Sequence, residues 1–335
     1  MRAALGRLLR AALIILAVVV VASAAGGAWL WRAWTAPGPL AEARNVVVPR
    51  GAGLEGTARS LYEGGVIAEP RVFGLGVLLE RLGPRLKAGE YRFPAATSAR
   101  EAAQLLASGR TLVRRLTIPE GLTTRQVLAL VRAAEGLEGD PAASVPEGAL
   151  LPDTWFYAWG DGRAALVERQ RRAMEQLVRQ LWDSRAPGLP LRDANEAVVL
   201  ASIVEKETSI AEERARVAAV FLNRLKRGMK LQADPTVVYG ITEGAGPLDR
   251  PLSRADLDAP TAWNTYAIDG LPPTPIANPG RASLAAVLQP VTSEELYFVA
   301  DGQGGHVFAK TLAEHNANVA KLRALERARA APRSD

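Results

Sequence analysis

The sequence contains no cysteine and only two histidines, His306 and His315, among 335 residues. Without cysteine there is no disulfide, no thiol nucleophile and no Cys-based zinc or iron–sulfur site. Two histidines cannot build a three-His metal centre, and they leave a Ser-His-Asp triad only two candidate bases. Neither lies near a carboxylate cluster in the sequence, so no metal and no cofactor are expected. Catalysis, if present, is pushed towards carboxylates. A second absence is local: no acidic residue precedes Glu42.

What is there suits a folded chain. Apolar residues make up 48% and charged residues 23%, enough for a sizeable core and against wholesale disorder. The formal charge is +6. A basic balance invites nucleic acid or anionic lipid. However, Arg2, Arg7, Arg10 and Arg32 flank one apolar run, and without them 37 basic residues face 35 acidic ones. The excess is therefore a topology signal, and no nucleic-acid partner is expected.

That run, Ala11 to Trp31, approaches the ~20 residues needed to cross ~30 Å of hydrocarbon. The positive-inside rule keeps the N-terminus, residues 1–10, in the cytoplasm and exports everything after Arg32. Trp29, Trp31 and Trp34 fall where an interfacial aromatic belt lies. The competing reading is a signal peptide cleaved after Ala22-Ser23-Ala24. The uncleaved anchor is preferred because the apolar stretch continues into the tryptophans. Residues 32–42, with Pro37 and Pro39, read as an extended linker.

Two regions follow. Residues 43–117 mix short strands (Asn45–Pro49, Lys87–Phe93, Thr111–Ile118) with helices (Leu54–Tyr62, Arg71–Leu82, and one capped by Ser98 with Glu101). This pattern suggests a small α+β unit. Residues 118–326 carry a helix at Thr124–Ala134 and a long amphipathic one at Arg163–Trp182. A nearly all-apolar helix starting at Asp193 or Asn195 runs to Glu205. Ser209 with Glu212 reads as a capping box for the next helix, closed by Gly228. Asp234-Pro235 and Asn278-Pro279 each read as an N-cap with Pro at the first helical position. Leu296–Ala300 and Val307–Ala309 read as a hairpin around DGQGG, so Gly302, Gly304 and Gly305 form a turn and not a phosphate loop. Thr311 with Glu314 caps a terminal helix, and residues 327–335 are expected to fray.

Glu205 is the most informative residue. It closes a helix that is apolar from Val198 to Val204 except for Ser202, and such a helix is buried on most sides. Partial desolvation and the negative helix end both favour a protonated carboxyl, which is what a general acid requires. The alternative is a structural Glu paired with Lys206 or a distant Arg. Glu207, two residues on, reads as solvated or ion-paired, and Glu212 as a cap. The stretch from Gln232 to Pro279 is a long loop rich in proline, amides and hydroxyls. With Trp263 and Tyr266 it suits saccharide recognition, the alternative being a structural cover over the core.

Several long segments in order resemble the MltG (YceG-like) endolytic murein transglycosylases. They are IPEGLTTRQV (118–127), GALLPDTWFY (148–157), LASIVEKET (200–208), VFLNRLKRGMKLQADPTVVYG (220–240), LSRADLDAPTAWNTYAIDGLPPTPIANPG (252–280) and LYFVADGQGGHVFAKTLAEHNANV (296–319). Pro146, Trp155 and Thr274 depart from the usual residues. The resemblance implies an inner-membrane, single-pass enzyme of α+β class, with a LysM-like module at 43–117 and a mixed α/β catalytic domain at 118–326. It implies cleavage of the MurNAc–GlcNAc β-1,4 bond inside nascent glycan strands, leaving 1,6-anhydro-MurNAc ends and terminating elongation. Peptidoglycan strands, the membrane and peptidoglycan synthases are the implied partners, with no cofactor. The family's catalytic glutamate maps to Glu205. Gln232, Asp234, Asn264 and Tyr266 are expected to position the saccharide. Two other readings stay open: a non-catalytic glycan-binding scaffold, and a hydrolytic muramidase using a second carboxylate such as Asp234.

Overall fold

The computed structural model describes residues 2–141 and 144–330. The chain divides into two compact units: residues up to Arg114 with 156–161, and residues 115–155 with those from 162 onward. Among the described residues helices dominate and the strands pair two by two, giving a mixed α+β chain.

The first unit begins with α1, Arg2–Thr35, which is apolar and unburied over most of its length. After it come β1 (Arg44–Val48), α2 (Gly53–Glu63), α3 (Pro70–Leu79), a 3-10 turn at Gly83–Arg85, β2 (Gly89–Phe93), α4 (Ala99–Ser108) and the start of β3 (Val113–Thr117), which passes into the second unit at Arg115. β1 and β2 are antiparallel, with Val46 opposite Tyr91 and Val48 opposite Gly89. Their inward residues meet Leu61, Phe73, Val77 and Leu106 in one core. The Ser98–Glu101 capping box opens α4, and Gly109 closes it in the left-handed region at φ 69°.

Three expectations for this unit change. The helix of α1 continues to Thr35, so the linker starts four residues later than Arg32. Trp34 leaves the interfacial belt and is buried, its ring edge-on to Phe73 at 6.0 Å. The room comes from Gly76, where any Cβ would lie 2.4 Å from the Trp34 indole. The helix expected to reach Leu82 stops at Leu79, and Arg81 takes a positive φ of 54° before Gly83-Pro84.

The second unit holds α5 (Thr124–Ala133), β4 (Thr154–Ala158, shared with the first unit), α6 (Arg163–Asp183) and α7 (Ala194–Glu207). Next come α8 (Ala211–Lys226), α9 (Asp234–Thr242), α10 (Arg254–Asp258), α11 (Arg281–Leu288), the hairpin β5 (Tyr297–Ala300) and β6 (His306–Ala309), and α12 (Leu312–Ala330). α7 is the central rod, buried from Ala197 to Val204 and packed by α6, α8, α9 and α11. Asp193 caps it by accepting the Glu196 N–H at 2.9 Å. The Thr311–Glu314 exchange opens α12 as expected. α12 stays helical to Ala330, past the point where fraying was expected, and 331–335 lie outside the described residues.

Other caps differ. Ser209 does not cap α8, and Glu212 is exposed. The helix starts after Ile210, whose N–H goes to Thr208 Oγ1 at 3.0 Å. The cap of α9 is Ala233, with Asp234 already helical. The cap of α11 is Gly280, because Asn278 is drawn inwards.

Candidate active site

Glu205 reaches its position because α7 is anchored on all sides. Even Ser202, the polar break in the apolar run, is used: its hydroxyl donates to Val199 O and accepts the Ile276 N–H at 3.0 Å. That bond draws the loop before α11 onto the rod. The loop's Asn278 then locks to the segment before α5. Gly121 N–H donates to Asn278 O at 3.0 Å, and Asn278 N–H to Leu122 O at 2.8 Å. The fully buried Asn278 amide donates to Leu122 O and Thr124 Oγ1, and its oxygen accepts the Leu150 N–H at 2.8 Å. Glu147 lies behind it, accepting N–H bonds from Thr124 and Gly148 and the Tyr239 hydroxyl. Burial raises the Glu147 carboxyl above its ordinary range.

Glu205 lies where these two loops meet. Its side chain is only 5% exposed, and Arg214 of α8 approaches to 3.6 Å. Gly280 N–H donates to its Oε2 at 2.8 Å. Gly121, at φ 75°, passes close to its Cγ, and Lys206 donates to Gly121 O at 3.3 Å. Glu120 is exposed along most of its length, but its carboxyl lies directly over Gly280. Partial burial and the Glu205 charge raise the Glu120 carboxyl, with Arg214 opposing. Glu205 is thus a carboxyl contacted by the Gly280 N–H and the Arg214 cation, with a second carboxyl, Glu120, beside Gly280. Glu120, Arg214 and Gly280 were missed from sequence because they come from three distant segments.

A second cluster gathers most of the expected saccharide-binding residues. Tyr266 donates its hydroxyl to Asp234 Oδ1 at 2.6 Å. Gln232 takes a positive φ of 52°, and its N–H pairs with Thr265 O. Asn264 corrects its expectation. It is fully buried, donating to Leu257 O and Ala259 O and accepting the Tyr266 N–H at 2.9 Å. Its NH2 group is spent on Leu257 and Ala259, and its oxygen holds the Tyr266 N–H. Glu207 is also corrected. It is half-buried, and burial with the Asp234 charge pushes its carboxyl up to about 8, with Arg224 opposing. Burial, then the Asp234 bond, raises the Tyr266 hydroxyl as well.

Lys206 and Asp234 both line a cavity of about 510 Å³ with Leu122, Val238, Tyr239 and Arg250. Its mixed lining of apolar and charged side chains fits a ligand that is partly apolar and rich in hydroxyls. Trp263 stands beside Tyr239, ring centroids 5.6 Å apart, and its indole N–H goes to Thr274 Oγ1. The unusual Thr274 therefore has a task in this wall. The histidines lie elsewhere. His306 pairs with Glu213 at 2.6 Å, and His315 stacks on Tyr297.

A family profile described as the YceG-like family matches residues 46–321. The chain belongs to the YceG-like family. A Bacillus subtilis (strain 168) protein named endolytic murein transglycosylase is 43% identical over 122 residues, covering 36% of this chain and 33% of that protein. A Streptococcus pneumoniae (strain D39) protein of the same name is 26% identical, covering 82% of this chain and 58% of its own length. The chain thus spans from a third to somewhat over half of these curated relatives. A crystal structure of a YceG-like protein from Listeria monocytogenes aligns with a TM-score of 0.50 and 27% identity, covering 82% of this chain and 99% of that one. The YceG-like match takes in both the loop carrying Glu120 and the helix carrying Glu205.

Proposed function

We propose that this chain is a membrane-anchored endolytic peptidoglycan lytic transglycosylase. The observation that carries the reading is Glu205: a carboxylate buried in the family's matching segment, held by one backbone N–H, with its neighbour Lys206 on the cavity rim. Glu205 first gives its proton to the GlcNAc oxygen as the C1–O bond of MurNAc breaks. The C6 hydroxyl oxygen of the same MurNAc then bonds to C1, and its proton returns to Glu205. No water is consumed, so one carboxylate serves as acid and then base, whereas hydrolysis conventionally uses two. Asp234, Tyr266 and Gln232 position the saccharide, and Asn264 supports Tyr266. The first unit acts as a LysM-like, glycan-holding module, and α1 spans the inner membrane with its N-terminus in the cytoplasm. Peptidoglycan synthases are the partners whose nascent strands the enzyme terminates.

The test is mass analysis of products from purified chain and nascent glycan. Anhydro ends are about 18 Da lighter than reducing ends. Glu205→Gln is expected to abolish them with the fold intact, losing about 10²–10⁴-fold in rate. Reducing ends would establish a muramidase instead. Binding without new ends would establish a scaffold.

A further inference from the structure

α3, PRVFGLGVLL, carries no charge after Arg71. Its buried side, Val72, Phe73, Gly76 and Val77, belongs to the core of the first unit. Its other side does not. Leu75, Leu78 and Leu79 are 49%, 64% and 72% exposed. Their i, i+3, i+4 spacing puts them on one face. Three bare leucines on one short helix need a cover.

The place of this face says what the cover is. α3 docks on the last turns of α1 through the tight Gly76–Trp34 contact. Trp34 Nε1 donates to Glu80 Oε1 at 3.0 Å, and Arg100 binds the same oxygen at 2.7 Å. The acid nearest the leucines is therefore already engaged. Along the seam runs a mostly apolar groove of about 260 Å³, lined by Gly27, Leu30, Trp31, Trp34, Gly76, Leu79 and the paired Glu80. Gly27 and Leu30 belong to the apolar run of α1. At 1.5 Å per residue, a ~30 Å hydrocarbon layer starting at Ala11 ends near Leu30. Trp29 and Trp31, 63% and 55% exposed, then mark the interface, at the level of the leucine face. Arg71, Arg81 and Arg85 border the helix and are exposed, as anionic headgroups require.

We propose that α3 is a second membrane contact: it lies in the outer interface of the bilayer that α1 spans, with Leu75, Leu78 and Leu79 among the acyl chains. One lipid chain fills the groove between α1 and α3. The surface fixes the height of the first unit above the membrane and prevents it from swinging about α1. The inference rests on the anchor reading of α1 and is independent of the chemistry at Glu205.

The absence of cysteine makes the test direct. The full chain is placed in phosphatidylglycerol–phosphatidylethanolamine vesicles with a polarity-sensitive fluorophore at one of three introduced cysteines. Leu78→Cys reports the proposed contact, Ile15→Cys the span of α1, and Glu55→Cys the exposed surface of α2. The expected result is blue-shifted emission and at least about twofold quenching by nitroxide lipids at Leu78→Cys and Ile15→Cys, and neither at Glu55→Cys. Quenching at Ile15→Cys alone overturns the proposal and leaves the anchor standing. A blue shift at Leu78→Cys without lipid quenching also overturns it, pointing to a protein cover such as a second copy. Quenching at neither α1 nor α3 overturns both readings.

Discussion

Gly280→Ala separates the two carboxylates of the site without deleting either. Gly280 has φ −77° and ψ 169°, a conformation any residue adopts, so this glycine is there for space and not for backbone freedom. A Cβ would lie 1.8 Å from Glu120 Oε1, 2.1 Å from Cδ and 2.8 Å from Cγ. Normal contact needs about 3.5 Å, so the Glu120 carboxyl must retreat by more than 1 Å. The atoms displaced are the far end of a flexible, largely exposed side chain, so the fold survives at about 1 kcal/mol or less. The Gly280 N–H still reaches Glu205. What is lost is the placement of a second carboxyl over the Gly280–Glu205 contact. Because Glu120 is solvated, the effect is modest: about tenfold in rate, or ~1.4 kcal/mol. Glu120→Ala gives the same loss, and in that background Gly280→Ala is silent, because the methyl enters the vacated space. The assay is release of new glycan ends, with thermal melts as the control. Full activity in a folded Gly280→Ala enzyme refutes the reasoning, and so does an additive loss in the double variant.

Asn278→Ala leaves Leu150 N–H and the buried Glu147 short of partners. Urea unfolding is expected to show a loss of about 2–4 kcal/mol, and a loss under ~1 kcal/mol would mean the amide is not what locks the loops. Glu207 titrates near 4.5 when unfolded and is pushed up to about 8 in the fold. A raised carboxyl supplies stability below the lower value that is lost as pH rises through the upper one. Wild type should therefore lose more of its urea midpoint between pH 5 and pH 9 than Glu207→Gln; equal losses would contradict this. Tyr266→Phe removes the bond to Asp234 and is expected to raise KM several-fold with little change in kcat, read from steady-state kinetics on glycan strands.

Legibility in the sequence followed the range of the interaction. The burial of the helix that Glu205 closes could be read because its apolar run is a local signal. The capping boxes at Ser98 and Thr311 are likewise self-contained within four residues. The failures were local patterns overruled by distant partners. Asn278-Pro279 mimics a helix start, yet its amide is committed to Leu122, Thr124 and Leu150. Asn264 reads as a free amide because loop polarity looks the same turned inwards or outwards. Trp34 reads as a membrane-interface residue, and only the gap at Gly76 shows that it is buried. Glu120 and Arg214 carry no local signal, since their meaning lies in what they face.

The surroundings of Glu205 make sense for one group with two tasks. The C-terminal end of α7 and the Glu120 carboxyl place negative potential near it. Gly280 is also the N-cap of α11, so the carboxylate lies at the positive end of a second helix and beside Arg214. Those groups place positive potential on it. A dedicated acid would need only the first set, and a dedicated base only the second. A lytic cycle needs the proton to leave for the glycosidic oxygen and then to be recovered from the C6 hydroxyl. In the proposed reaction, a carboxyl held between opposed helix ends serves both half-reactions, and the buried α7 holds it in place. The rigidity of the rod and the two loops locked by Asn278 are therefore part of the chemistry: a mobile carboxyl would lose the geometry for one of its two transfers.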